Sequence, residues 1–163
     1  MYRFILSVAA RACAKGSYGK ERRMSTEQNK AIRRQAYEAV NQKNLDALDE
    51  VIASDVINHS ARPGQTPGLE GVKQLFSSLH AAFPDFHIDV EDMIAEGDKV
   101  VARVKASGTH QGECMGIAPT GNRVEFSAID IARIAEGKIV EHWSNSDQLG
   151  MLQQLGVMER PSG

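Results

Sequence analysis

The sequence predicts an α+β domain in which helices come first and a curved antiparallel sheet follows. Apolar residues recur at three- and four-residue steps up to Pro84 and then switch to every second position. The 163 residues suit one hydrophobic core, with an apolar fraction of 42% and a charged fraction of 25%, close to soluble globular averages. Helices segregated from an antiparallel meander must cover one of its faces, which leaves room for a pocket between the layers.

Each element has its own signal. Ile32, Ala36, Ala39 and Val40 make an apolar stripe from Thr26 to Asn41, with Lys30, Arg33, Arg34 and Glu38 assigned to the solvent side. Asn41 to Asn44 interrupt that helix, and Leu45, Leu48, Val51 and Ile52 restart the pattern on a second, short one. The segment Asn58 to Gly68 reads as a loop, since its prolines and glycines mark irregular backbone. A third helix is predicted from Leu69 to Phe83, and Pro84 stops it. Phe86, Ile88 and Val90 begin the alternating strands; Val100 to Thr109 is the next, with a further segment to Met115. Val124 to Ile134 and Ile139 to Asn145 form a hairpin about Glu136-Gly137, and Gln148 to Leu155 is a closing helix.

Charge divides the chain at Met24. Residues 1–23 carry six Lys or Arg against Glu21 alone, while the remainder carries thirteen basic and twenty acidic residues, a net of −7. An acidic body repels phosphate backbones, so nucleic acid is not an expected partner. The apolar run Phe4 to Ala10 is too short to span a bilayer, and no membrane association is expected. Residues 1–23 fit a start-site extension, a mitochondrial-type transit segment or a weak signal peptide; the fold is expected to occupy residues 24–163. Met24-Ser25-Thr26-Glu27 has the form of a protein start with a helix cap. The two cysteines, Cys13 and Cys114, suit neither a metal cluster nor a structural disulfide, and a cytoplasmic location is expected, mitochondrial if residues 1–23 are a transit segment.

Asp130 is the most informative residue for chemistry. The alternating face Val124, Phe126, Ala128, Asp130, Ala132, Ile134 is otherwise apolar or small, and a carboxylate there must be paired, hydrogen-bonded or protonated. It is a candidate acid or base, or else a buried acid satisfied by its neighbours. An odd-length loop about Glu136-Gly137 would set Asp130 beside His142 or Ser144, whereas a two-residue loop would set it opposite Trp143; the odd loop is favoured. Asp130 and His142 would then form a pair suited to proton transfer. Asn58 and His59 sit where a loop leaves the end of an apolar helix and can lean over a pocket mouth, or simply cap and turn the chain. His110 is read as solvent-facing, His80 and His87 as surface residues, and Cys114 as core. No histidine spacing supports a metal site, and none is expected.

The runs Gly112-Glu113-Cys114-Met115-Gly116-Ile117-Ala118-Pro119-Thr120-Gly121, Gly137 to Trp143, Asp147-Gln148-Leu149-Gly150 and Gln154-Leu155-Gly156 resemble the SnoaL-like polyketide cyclase (ester cyclase) family. That family lies within the NTF2-like superfamily of α+β cones. The resemblance spans Ala31 to Val157. It implies an intramolecular aldol ring closure without metal or organic cofactor, in which a pocket carboxylate assisted by a histidine moves the proton. Carried over by position, Asn58 matches a pocket asparagine and His142 the histidine of the last strand. Ser144 stands where the cyclases hold their catalytic aspartate, Asp130 where they hold a pocket histidine, and Asp147 matches an acid whose simpler role here is a helix cap. The expectation is therefore a homodimer binding a small, largely apolar, oxygen-bearing molecule. Asp130 and His142 would be catalytic, and Asn58, His59, Trp143 and Ser144 would bind substrate. An isomerase or hydrolase would use the same residues; a non-catalytic binding or regulatory module is the alternative.

Overall fold

The computed structural model of the chain describes residues 24–158. The expectations for residues 1–23 therefore lie outside the described residues. Helix α1 (Thr26–Asn41) opens with a reciprocal cap: Ser25 Oγ accepts from the Gln28 amide, and Gln28 Oε1 accepts from the Ser25 amide. A 3₁₀ turn (Leu45–Ala47) leads into the one-turn α2 (Leu48–Val51). Strand β1 (Ile52–Asn58) follows directly, then α3 (Gly68–Ala82), β2 (His87–Glu96), β3 (Lys99–Thr109), β4 (Arg123–Ala135), β5 (Lys138–Ser146) and α4 (Gln148–Leu155).

The α+β class and the helices-then-sheet order hold, with two differences. Where the second helix and the loop were expected to meet, the chain turns into β1, an edge strand lying parallel to β5 in the order β1-β5-β4-β3-β2. Its sequence lacks alternation because its register with β5 shifts between Ile52 and Ile57. The segment after β3 is a tight turn with only the bridge between Cys114 and Ile117.

The core lies between the sheet and the helices, with α1 packed on β2 and β3, and α3 packed on β1. Leu48, Phe83, Val100 and Ile139 are among its most deeply buried large side chains. Each contributes roughly 1.5–3 kcal/mol by leaving water. His110, expected in solvent, is fully buried. Its Nδ1 accepts from the Thr120 amide at 3.2 Å, and its ring packs on Phe83. The turn from Gln111 to Thr120 folds back over it, which a strand-end reading does not foresee.

Candidate functional site

The hairpin between β4 and β5 decides what faces the helices. Its loop is the two-residue Glu136-Gly137, with φ of 51° and 80°, the left-handed pair that a type I′ turn requires and that Gly137 adopts without cost. That loop length alone would put Trp143 opposite Asp130, against the favoured odd loop. Instead Ile134 pairs with Ile139 but Arg133 pairs with Glu141, so Val140 is an extra residue in β5. The bulge shifts the register by one, and Asp130 stands opposite Ser144 with His142 opposite Ala132. The turn expectation was wrong, yet the facing it was meant to give is present.

Asp130, His142 and Ser144 thus line one wall of a cavity of about 390 Å³ between the sheet, α1 and α3. Most of the lining is apolar, from Val40, Val72, Phe76, Leu79, Phe126 and their neighbours. The polar groups gather at the β4–β5 wall. Arg33, assigned from the sequence to solvent, is buried there: its Nη2 donates to Asp130 Oδ2 at 3.0 Å. Tyr37, one helical turn later, donates its hydroxyl to the same oxygen at 2.8 Å. The guanidinium carbon sits 4.2 Å from the centre of the Tyr37 ring, so the two side chains brace each other. Arg33 and Tyr37 fall at i and i+4 on the apolar side of α1; sequence reasoning missed both, and that spacing next to Ile32 and Ala36 is the signal that could have found them.

Arg33 Nη2 also lies 3.3 Å from His142 Nε2, while His142 Nδ1 lies 3.4 Å from Asn58 Oδ1. A guanidinium only donates, so Nε2 accepts; Nδ1 then carries the proton and donates to Asn58, an assignment made from the partners. Asp130 Oδ1 stands 3.9 Å from His142 Nε2 and makes neither of the bonds that hold Oδ2. Burial works against the Asp130 charge, but Arg33, His142 and hydrogen bonds from Ser144 and Tyr37 outweigh it and hold the carboxyl below its usual range. Burial, reinforced by Arg33 and only partly opposed by Asp130, pulls His142 down to about 4. Burial also pushes the Tyr37 hydroxyl well above its ordinary value. Near neutral pH the wall therefore presents an anionic Asp130, a cationic Arg33 and a neutral His142.

A clamp holds β5 in place. The His59 amide donates to the His142 carbonyl at 2.9 Å. Ser60 Oγ accepts from the Ser144 amide at 2.7 Å and donates to the Ser144 carbonyl at 2.9 Å. One hydroxyl thereby extends the parallel pairing past the end of β1. Asn58 stands at the cavity as expected, at the end of a strand rather than of a helix. His59 and Trp143 are elsewhere: their rings stack at 4.5 Å, His59 Nε2 meets Glu141 at 2.8 Å, and neither side chain lines the cavity. Trp143 alternates with His142 and Ser144, so it projects from the other face of the sheet. Cys114 is half-buried and also lines the cavity, and Asp147 caps α4 by accepting from the Gly150 amide. Among the described residues, no group of three or more His, Cys, Asp or Glu could hold a metal ion, and no helix is long and apolar enough to cross a membrane.

Helices closed over one sheet face, with a carboxylate, a guanidinium and an imidazole gathered at one wall of a largely apolar cavity, define a class of α+β pocket proteins. Within that class the chain belongs to the SnoaL-like polyketide cyclase family, whose model matches residues 30–155. It is 32% identical to the nogalonic acid methyl ester cyclase of Streptomyces nogalater over 120 residues, 72% of this chain and 90% of that one. It is similar to the crystal structure of wild-type IdmH, a putative polyketide cyclase from Streptomyces antibioticus, at 38% identity and a TM-score of 0.70, covering 80% of this chain and 99% of that one. The structure of TsrD from Streptomyces laurentii gives a TM-score of 0.78 at 27% identity, covering 83% of this chain and 99% of that one.

Proposed function

We propose that this protein is a cofactor-free cyclase that forms a carbon–carbon bond in a polyketide-like 1,3-dicarbonyl substrate, with Asp130 as the base. The observation that carries the reading is the division of labour on the Asp130 carboxylate: Oδ2 is held by Arg33 and Tyr37, and Oδ1 takes no bond from either. The C–H bond between the two carbonyls breaks, its proton passes to Oδ1, and the electron pair moves into the enolate. The enolate carbon then attacks a second carbonyl of the same molecule, and the resulting alkoxide takes the proton back from Asp130. His142 shows Arg33 a lone pair rather than a proton, so its part is to hold the guanidinium in place instead of donating. Ser144, facing the same cavity, is placed to orient a carbonyl.

The test is exchange of the α-protons of ethyl acetoacetate in D₂O, followed by NMR. Wild type exchanges them above the buffer rate, and Asp130→Asn loses 10²–10⁴-fold while keeping its circular dichroism, the usual weight of a positioned base. Equal rates in the two proteins would refute the assignment. The binding-module reading is favoured by one observation, the low basicity of a carboxylate already paired with Arg33. It predicts a ligand retained in native mass spectrometry without exchange.

The open sheet face supports a homodimer as part of this proposal. Ile57, Ile94 and Ile129 are 55%, 64% and 44% exposed and project from the face that carries Trp143. The ligand class, small and largely apolar with oxygen at one end, follows from an apolar cavity with a single polar wall.

A further inference from the structure

Arg33 is more than the counter-ion that Asp130 needs. Its polar contacts with described residues run through Nη2 alone. Its Nε is buried with no partner among the described residues, although the side chain is only 8% exposed and lines the cavity. A buried guanidinium with donors left over is costly unless something completes its set of bonds. The groups facing it are Asp130 from β4, His142 from β5 and Tyr37 from its own helix. Asp130 is the only anion among them, and it is the group that loses its charge when it accepts a proton.

We propose that Arg33 is a catalytic residue that exchanges ion-pair partners during the reaction: as Asp130 becomes neutral, the guanidinium takes the enolate oxygen of the substrate as its new anion. The inference rests on the proton-transfer reading above. When the substrate C–H bond breaks and the Oδ1–H bond forms, one negative charge leaves Asp130 and appears on the substrate oxygen. Both places lie within reach of one fixed cation, so little has to reorganise, which is the condition under which buried electrostatics accelerate a step. Ring stacking on Tyr37 and the bond to His142 Nε2 keep the guanidinium in place while its anion changes. The ligand this site takes is an enolisable 1,3-dicarbonyl with an oxygen reaching the β4–β5 wall.

A simple counter-ion and an enolate holder predict opposite outcomes for Arg33→Met. A counter-ion only weakens Asp130 as a base, so removing it would leave exchange of ethyl acetoacetate unchanged or faster once the pH exceeds the raised Asp130 titration. An enolate holder predicts a loss on the order of 10²–10³-fold at every pH between 5 and 9. Arg33→Lys, which keeps the charge, should recover at least tenfold over Arg33→Met. A measurement on wild type needs no variant to fold: acetylacetone bound to the protein near pH 7 is expected to show the ultraviolet band of its enolate. Binding with only the neutral enol band overturns the proposal, as does unimpaired exchange in Arg33→Met. If wild type exchanges no α-protons at all, the proton-transfer reading fails first. If wild type exchanges them and Asp130→Asn does not, that reading stands and Arg33→Met judges the enolate assignment alone.

Discussion

The burial of His142 has a consequence for stability as well as chemistry. Its folded-state value of about 4 lies below the roughly 6.5 of an unfolded histidine, so between those values the unfolded chain binds the extra proton. Stability from this residue is complete above about pH 6.5 and drains away as the pH falls toward 4, a loss of roughly 1–3 kcal/mol. Asp130, also depressed, adds to the loss only below the ordinary carboxylate range. Urea unfolding of wild type at pH 7.0 and 4.5 is expected to show this decline, and His142→Gln, which cannot take up the proton, should flatten it. Exchange activity should hold steady from pH 6 to 8, because neither group changes charge in that window.

At the scale of elements, the site depends on two devices in β5. Deleting Val140 removes the bulge but leaves Arg133–Glu141, Ala132–His142 and Asp130–Ser144 as ladder partners, so His142 and Ser144 keep facing the helices and Trp143 stays outside. The expected result is that exchange of ethyl acetoacetate persists in the deletion variant; loss of exchange with the circular dichroism retained would refute the reading of Val140 as the single extra residue. Ser60→Ala removes two hydrogen bonds to the backbone of β5, and about 1–2 kcal/mol should be lost in urea unfolding, with Ser60→Thr restoring most of it. Neither device was legible beforehand. A bulge leaves no trace in apolar alternation, and a hydroxyl bonding to backbone 84 residues away is an ordinary loop serine to local reading. Helices α1, α3 and α4 were legible because each carries apolar residues at helical spacing and a clear stop or cap. Strand β1 was hidden by its irregular pairing. Asp130 stood out because a carboxylate interrupted an apolar face, whereas Arg33 did not, because a long cation on an amphipathic helix is ordinarily in water and its partner lies 97 residues downstream.

For the whole molecule, the outer face of the sheet is the surface most in need of a partner. Ile129→Lys replaces the exposed isoleucine of the middle strand β4 with a charge, and light scattering at micromolar concentration is expected to find a dimer in wild type and a monomer in the variant. A wild-type monomer would remove the dimer from the proposal without touching the cavity, which faces the other way. The strand order carries a further consequence. Since β5 sits between β1 and β4, the edge formed earliest along the chain finds its neighbour only when residues 139–142 arrive, and Arg33 waits nearly as long for Asp130. A polypeptide still emerging from the ribosome can have its first three helices and the β2–β3 hairpin while the site is unbuilt, with Arg33 lacking its anion until β4 arrives.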